Sequence, residues 1–169
     1  MSTSENVTSS NHVAAAQPNL GGAKHVVAGV IETLISLNID SANAYKTATE
    51  LLESEQYREI CRTFSKQHQD FADELRAAIG QYGGSVPDDE SFRGLLQDVW
   101  MNLRNLVDGD DTGVIVECDR TTEHVINVYF DIIEGELPDE VEQLIRKQFA
   151  ELKGEHERIH RLAAALQQT

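Results

Sequence analysis

Five blocks of the sequence carry apolar residues at alternating steps of three and four, the spacing that places side chains on one face of an α-helix. The blocks cover about residues 24–53, 55–82, 89–107, 112–134 and 138–166. In the first block Val27, Ile31 and Leu34 follow this spacing, and the polar residues Asn38 and Ser41 continue the same stripe. The pattern therefore predicts four long helices, with a shorter helix in the third block.

Local residues mark where these helices begin and end. Ser54 is suited to cap the second helix, because its hydroxyl can accept an N–H of the first turn. Gly83-Gly84 favours an end to that helix, since glycine adopts the left-handed cap conformation without strain. Pro138 suits the start of the last helix. The joints within the first pair and within the last pair are short, so each pair is predicted to form an antiparallel hairpin.

The third block, about 89–107, separates the two hairpins and is long enough to cross the bundle. Such a crossing allows the second and fourth blocks to run parallel, which is the connectivity of ferritin-like bundles. The sequence thus predicts an all-α, ferritin-like four-helix bundle with an extra crossover helix between two antiparallel hairpins. The bundle domain is expected over 24–169. The preceding segment, 1–23, is rich in Ser, Asn and Thr, which is typical of a disordered tail.

Charge narrows the range of partners. The chain has 14 Lys and Arg against 29 Asp and Glu, a formal charge of −15. This balance argues against nucleic acid and against an anionic membrane surface, since both need clustered cations. No apolar run approaches the roughly 20 residues that span a bilayer. The N-terminus lacks the basic start and apolar middle of a signal peptide, so a cytoplasmic location is predicted.

The two cysteines, Cys61 and Cys118, both fall at apolar positions of helical stripes. Two buried thiols without a signal peptide indicate a reducing compartment. A disulfide between them would require their helices to meet face to face at the same height.

A ferritin-like bundle raises the question of a di-iron site. Such a site takes a Glu from each of two helices and a Glu-x-x-His pair from each of the other two. The polar positions predicted to face the middle of the core are Asn38, Ser41, His68, Thr122 and His156. None of them is a carboxylate, so a di-iron oxidase is not predicted and no catalytic residue is assigned.

The histidines support two interpretations. Residues 156–160 read His-Glu-Arg-Ile-His, the H-E-x-x-H pattern of zinc proteases, but only nine residues follow and a downstream third ligand is absent. A Zn or Fe ion held by His68, His156 and His160 is the metal hypothesis. The favoured alternative is that His68 and His156 are core histidines hydrogen-bonded to polar neighbours.

Five segments, 45–50, 71–75, 82–87, 118–129 and 156–160, occur in an order and spacing that resemble a known family. It is a bacterial four-helix-bundle family of unknown function in the ferritin-like superfamily. The resemblance implies a bacterial cytosolic bundle, often discussed beside stress-associated proteins, and brings no established reaction. Members of the family tend to carry an acidic residue near Thr122, and its absence here weakens an inherited metal site.

Two functions follow. The preferred one is a non-catalytic bundle that acts by self-association, as a homodimer, or by binding a protein partner. Its predicted contact surface is the outer face of the crossover helix, formed by Phe92, Val99, Trp100 and Leu103. A helix outside a bundle buries one face there and leaves the other for a partner, unless the whole apolar face packs on its own bundle. The alternative is a metal-binding bundle, with Fe or Zn, in an oxidoreductase or metal-handling role.

Overall fold

A computed structural model of the chain describes residues 20–85, 101–103, 105–106 and 110–168. Over these residues the regular structure is helical and contains no strand, which confirms the all-α prediction. Its main elements are four long helices and one 3-10 turn: α1 Leu20–Leu51, α2 Glu55–Ile79 followed by the turn Gly80–Tyr82, α3 Asp111–Ile133 and α4 Asp139–Leu166.

The ends of the helices lie close to the predicted ones. Ser54 caps α2, accepting the N–H of Tyr57 at 3.5 Å. Gly83 adopts the left-handed conformation, with φ 71°, directly after the 3-10 turn, as its glycine character predicts. Asp110 caps α3. Helix α1 begins at Leu20, so residues 20–23 of the predicted tail are helical, and residues 1–19 lie outside the described part.

The order of contacts between helices defines their directions. From α1 to α3, Asn38 meets Tyr129 and Tyr45 meets Thr122, so residue numbers rise in one helix as they fall in the other. Helices α1 and α3 are therefore antiparallel. Because α1 and α2 form a tight hairpin, α2 runs in the same direction as α3, as the sequence predicts for the second and fourth blocks.

The segment between α2 and α3 connects opposite ends of the helices. The carboxylate of Asp111 accepts the N–H groups of Glu53 and Ser54 at 2.7 and 3.0 Å. The start of α3 thus lies beside the α1–α2 turn, whereas α2 ends at the other end. Of the predicted crossover helix, residues 101–103 and 105 are described and are helical.

The predicted dimer surface is only partly described. Leu103 is 1% exposed and packs in the core of its own chain, because this side of the crossover segment faces the bundle. Leu103 is therefore not available to a partner, which corrects the prediction at that residue. Phe92, Val99 and Trp100 lie outside the described residues.

Cys61 and Cys118 are free and buried, on α2 and α3 respectively. The neighbouring Cys61 thiol and burial raise the pKa of the Cys118 thiol well above its usual value. Their two helices, which are described over their full lengths, have no pair of Cα atoms within 8 Å of each other. A disulfide needs a Cα separation of about 4.4–6.8 Å, so these thiols can approach but not bond without backbone movement.

Candidate functional site

Polar side chains from all four helices meet inside the bundle. We call these residues the core polar layer: Asn38 on α1, His68 on α2, Tyr129 on α3, and Gln148 and Glu155 on α4. Each is at most 2% exposed. Buried polar groups need hydrogen-bond partners, so their pairing shows what the layer can do.

The hydrogen bonds of the layer have a defined direction. The amide of Asn38 donates to the Leu34 carbonyl at 2.8 Å and to the Tyr129 hydroxyl at 2.7 Å. With both amide hydrogens used, Asn38 Oδ1 accepts from His68 Nδ1 at 2.7 Å. The Tyr129 hydroxyl in turn donates to Gln148 Oε1 at 2.8 Å. The amide orientation and the histidine tautomer are assigned from this network.

The chain of hydrogen bonds continues to the surface. Gln148 Nε2 donates to the Phe71 carbonyl and, at 3.0 Å, to Glu74 Oε2. Lys147 Nζ lies 2.8 Å from the same carboxylate of Glu74. The Gln148 hydrogen bond, followed by Lys147, lowers the pKa of Glu74. One series of hydrogen bonds thus runs from His68 through Asn38, Tyr129 and Gln148 to the Glu74 carboxylate on α2.

At its other end the chain stops at a buried acid. His68 Nε2 lies 3.2 Å from Glu155 Oε1, and both side chains are fully shielded from solvent. Because Nδ1 already carries a proton, a hydrogen bond at Nε2 requires a second proton on one of the two groups. The ring of Tyr45 stacks on His68 with centroids 5.7 Å apart. Burial, and next the proximity of Glu155, raises the pKa of Tyr45 well above its usual value.

The position of Glu155 corrects the sequence prediction. The stripe of α4 was expected to bring His156 into the core, with no carboxylate there. Instead Glu155 is 2% exposed, whereas the His156 side chain is 31% exposed. A helical stripe through Gln148, Leu152 and Ile159 can include either Glu155 or His156. The packing of α4 against His68 places Glu155 on the buried side. His68 therefore pairs with Asn38 and Glu155.

A second cluster forms at the surface between α3 and α4. Asp119 Oδ2 lies 3.0 Å from His160 Nδ1, and Asp119 Oδ1 lies 3.7 Å from His156 Nε2. The three side chains each offer one ligand atom, and these atoms all lie within 4.8 Å of one another. We call Asp119, His156 and His160 the histidine cluster. It contains two of the three predicted metal ligands, and Asp119 takes the place of His68.

Asp119 was missed because it follows Cys118, the residue that defines the buried stripe of α3. One residue turns a helix by about 100°, so Asp119 sits at the edge of that stripe. Antiparallel pairing of α3 and α4 brings it opposite His156 and His160. The sequence signal that could have identified Asp119 is an acidic residue next to the buried stripe of α3, the helix that pairs with α4.

These features define an all-α helical-bundle protein with a hydrogen-bonded polar core and a histidine cluster on its surface. The model of a domain of unknown function, DUF2383, matches residues 26–135, and the chain belongs to that family. The match includes the whole of α3 and ends before α4. No curated protein matches the chain. Among the described helices, none is both long and apolar enough to cross a membrane.

Proposed function

We propose that this chain is a ferritin-like helical bundle that acts by binding a second copy of itself rather than by catalysis. The parallel course of α2 and α3, with a crossover segment between them, supports ferritin-like connectivity. The resemblance of the sequence to a bacterial family supports a bacterial, cytoplasmic setting.

The observation that carries the non-catalytic part is the composition of the core polar layer. It contains one carboxylate, Glu155, and one imidazole, His68, and these are hydrogen-bonded to each other. Di-iron chemistry in such bundles uses four carboxylates and two histidines. Asn38 and Gln148 supply amides rather than carboxylates to the layer, and the donors and acceptors of these amides are already used.

The self-association part rests on an aromatic pair on the outer face of α3 and α4. Phe130 is 51% exposed, and its ring centroid lies 6.5 Å from that of Phe149. Lys153 Nζ lies over the Phe149 ring, 5.1 Å from its centroid. Half-exposed aromatic side chains on a firm support are the usual anchors of protein interfaces. A two-fold contact between copies would cover Phe130.

Analytical ultracentrifugation of the untagged chain tests this proposal. We expect a dimer that Phe130→Ser converts to a monomer. Val26→Ser is the matched control, since Val26 is 67% exposed on α1 and lies outside the proposed contact. A wild-type monomer at tens of micromolar, or a Phe130→Ser dimer, would contradict the proposal.

A metal-handling role is the second candidate, and a separate observation favours it. The histidine cluster lies on the surface, on α3 and α4, apart from the core polar layer.

A further inference from the structure

We infer that Asp119, His156 and His160 form a binding site for one divalent first-row transition-metal ion, which joins α3 to α4. This inference goes beyond self-association and does not depend on it. The site differs from the predicted set of His68, His156 and His160 and lies outside the core.

The geometry of the cluster suits a metal ion. His156 and His160 are four residues apart on α4, so their rings lie on one face of the helix. Their centroids are 5.6 Å apart. Zinc bonds of about 2.0–2.1 Å at a tetrahedral angle place neighbouring ligand atoms about 3.3 Å apart. The distance from Asp119 Oδ2 to His160 Nδ1 is 3.0 Å and that from Asp119 Oδ1 to His156 Nε2 is 3.7 Å, so the separation at each carboxylate oxygen is close to this value.

One oxygen of the cluster lacks a partner. Asp119 Oδ1 is shielded from solvent and has no hydrogen-bond partner among the described residues. A buried acceptor left unpaired is costly, so this oxygen favours a cation beside it. A metal ion between Oδ1 and His156 Nε2 would satisfy both atoms. The formal charge of −15 also favours the approach of cations.

The donor set selects the class of ion. Two imidazoles and one carboxylate suit Zn²⁺, Fe²⁺, Co²⁺, Ni²⁺ and Cu²⁺, whereas Ca²⁺ and Mg²⁺ prefer oxygen ligands alone. Three protein ligands leave at least one coordination position for water. Glu157, the acid of the H-E-x-x-H sequence, is exposed, and the third ligand comes from another helix. The arrangement therefore differs from that expected of a zinc protease.

Isothermal titration of the untagged, chelator-treated full chain with ZnCl₂ tests the inference. We expect one equivalent of zinc per chain and no comparable binding of MgCl₂ or CaCl₂. Asp119→Asn, His156→Ala and His160→Ala should each weaken zinc binding by at least about tenfold, since even supporting residues of metal sites have effects of that size. Zinc should raise the melting temperature of the wild type by more than that of these variants at the same concentration.

Two matched controls separate the cluster from general surface binding. His124→Ala removes another exposed histidine of α3, and Glu157→Gln alters the acid inside the H-E-x-x-H sequence. Both should bind zinc as the wild type does. Circular dichroism checks that every variant is folded. An absence of zinc binding, or wild-type affinity in Asp119→Asn, would overturn the site, because the hydrogen bond between Asp119 and His160 would then be enough to explain the cluster.

Discussion

At the scale of single residues, the choice between Glu155 and His156 determines the chemistry of the core. A shift of one residue along α4 replaces an imidazole by a carboxyl group in the layer and moves His156 to the surface cluster. The buried carboxyl group is then tied to His68, while the amide of Asn38 holds the other side of the imidazole. Removing one member of a buried pair is costly because the other keeps its desolvation penalty.

Glu155→Ala is accordingly expected to lower the free energy of unfolding by about 3–5 kcal/mol. Glu155→Gln should cost less, about 1 kcal/mol, because its amide can still donate to His68 Nε2. Urea unfolding followed by circular dichroism measures both values. Glu157→Ala, an exposed acid on the same helix, is the control and should change stability by less than about 0.5 kcal/mol. Equal losses in the Ala and Gln variants would show that the hydrogen bond to His68 contributes little.

The sequence predicts part of this layer. Asn38 and His68 were expected at buried positions, and both are 0% exposed. Their partner Glu155 was not expected, since the apolar stripe of α4 fits residue 155 or residue 156 equally well. Only the contact between α2 and α4 distinguishes the two, and a periodic pattern within one helix contains no information about the neighbouring helix.

At the scale of elements, caps and joints hold the helices in register. Asp111 binds the two N–H groups of Glu53 and Ser54, so the first turn of α3 also closes the α1–α2 turn. The sequence predicted a helix start near this residue. It did not predict the link to the α1–α2 turn, because that contact joins residues 57 and 58 positions apart.

Asp111→Ala should lower the free energy of unfolding by about 1–2 kcal/mol, the usual cost of losing a capping carboxylate with its N–H partners. Thermal and urea unfolding measure this change. Asp139→Ala offers a comparison at the start of α4, where the exposed acid is expected to contribute only a few tenths of a kcal/mol. A loss in Asp111→Ala no larger than in Asp139→Ala would argue against the link.

Glu74 connects α2 to α4 and makes this contact depend on pH. Its pKa is lowered in the folded chain by the Gln148 hydrogen bond and by Lys147, from about 4.3 in an unfolded chain. Its contribution to stability is therefore present above about pH 4.3 and is lost as the pH falls through the lower, folded pKa. Glu74→Gln should show a smaller loss of stability on acidification than the wild type.

Urea midpoints measured between pH 3 and pH 7 test this dependence. Glu50→Gln is the control, since Glu50 is exposed on α1 and should leave the pH profile of the wild type unchanged. A steeper acid loss in Glu74→Gln than in the wild type would contradict the sign of the pKa shift.

At the scale of the whole molecule, the connectivity keeps the backbones of α2 and α3 apart, although their buried side chains meet in the core. Helices α2 and α3 run parallel on opposite sides of the bundle, so Cys61 and Cys118 face each other across it. The helix pattern and the short joints were sufficient to predict four long helices and the parallel course of α2 and α3. The surface that would meet a second copy depends on side chains outside the stripes, so periodicity could not locate it.

Native chain treated with a mild oxidant should retain both thiols, because the backbone spacing of α2 and α3 does not permit a disulfide. Mass spectrometry after alkylation under denaturing, non-reducing conditions counts the free thiols, and two are expected. The same treatment in urea, where the chain is unfolded, supplies the positive control. A Cys61–Cys118 disulfide formed in the native state would require the two helices to approach more closely.

Anaerobic loading with Fe²⁺ is the most direct test of whether the polar residues of the core hold one another by hydrogen bonds or bind a metal ion. Equilibrium dialysis of the wild type should give one Fe²⁺ per chain. His68→Gln should retain this ion, because His68 belongs to the core polar layer, and His160→Ala should lose it. Two ions per chain, or loss of iron in a folded His68→Gln variant, would contradict the assignment of His68 to hydrogen bonding and of His160 to metal binding.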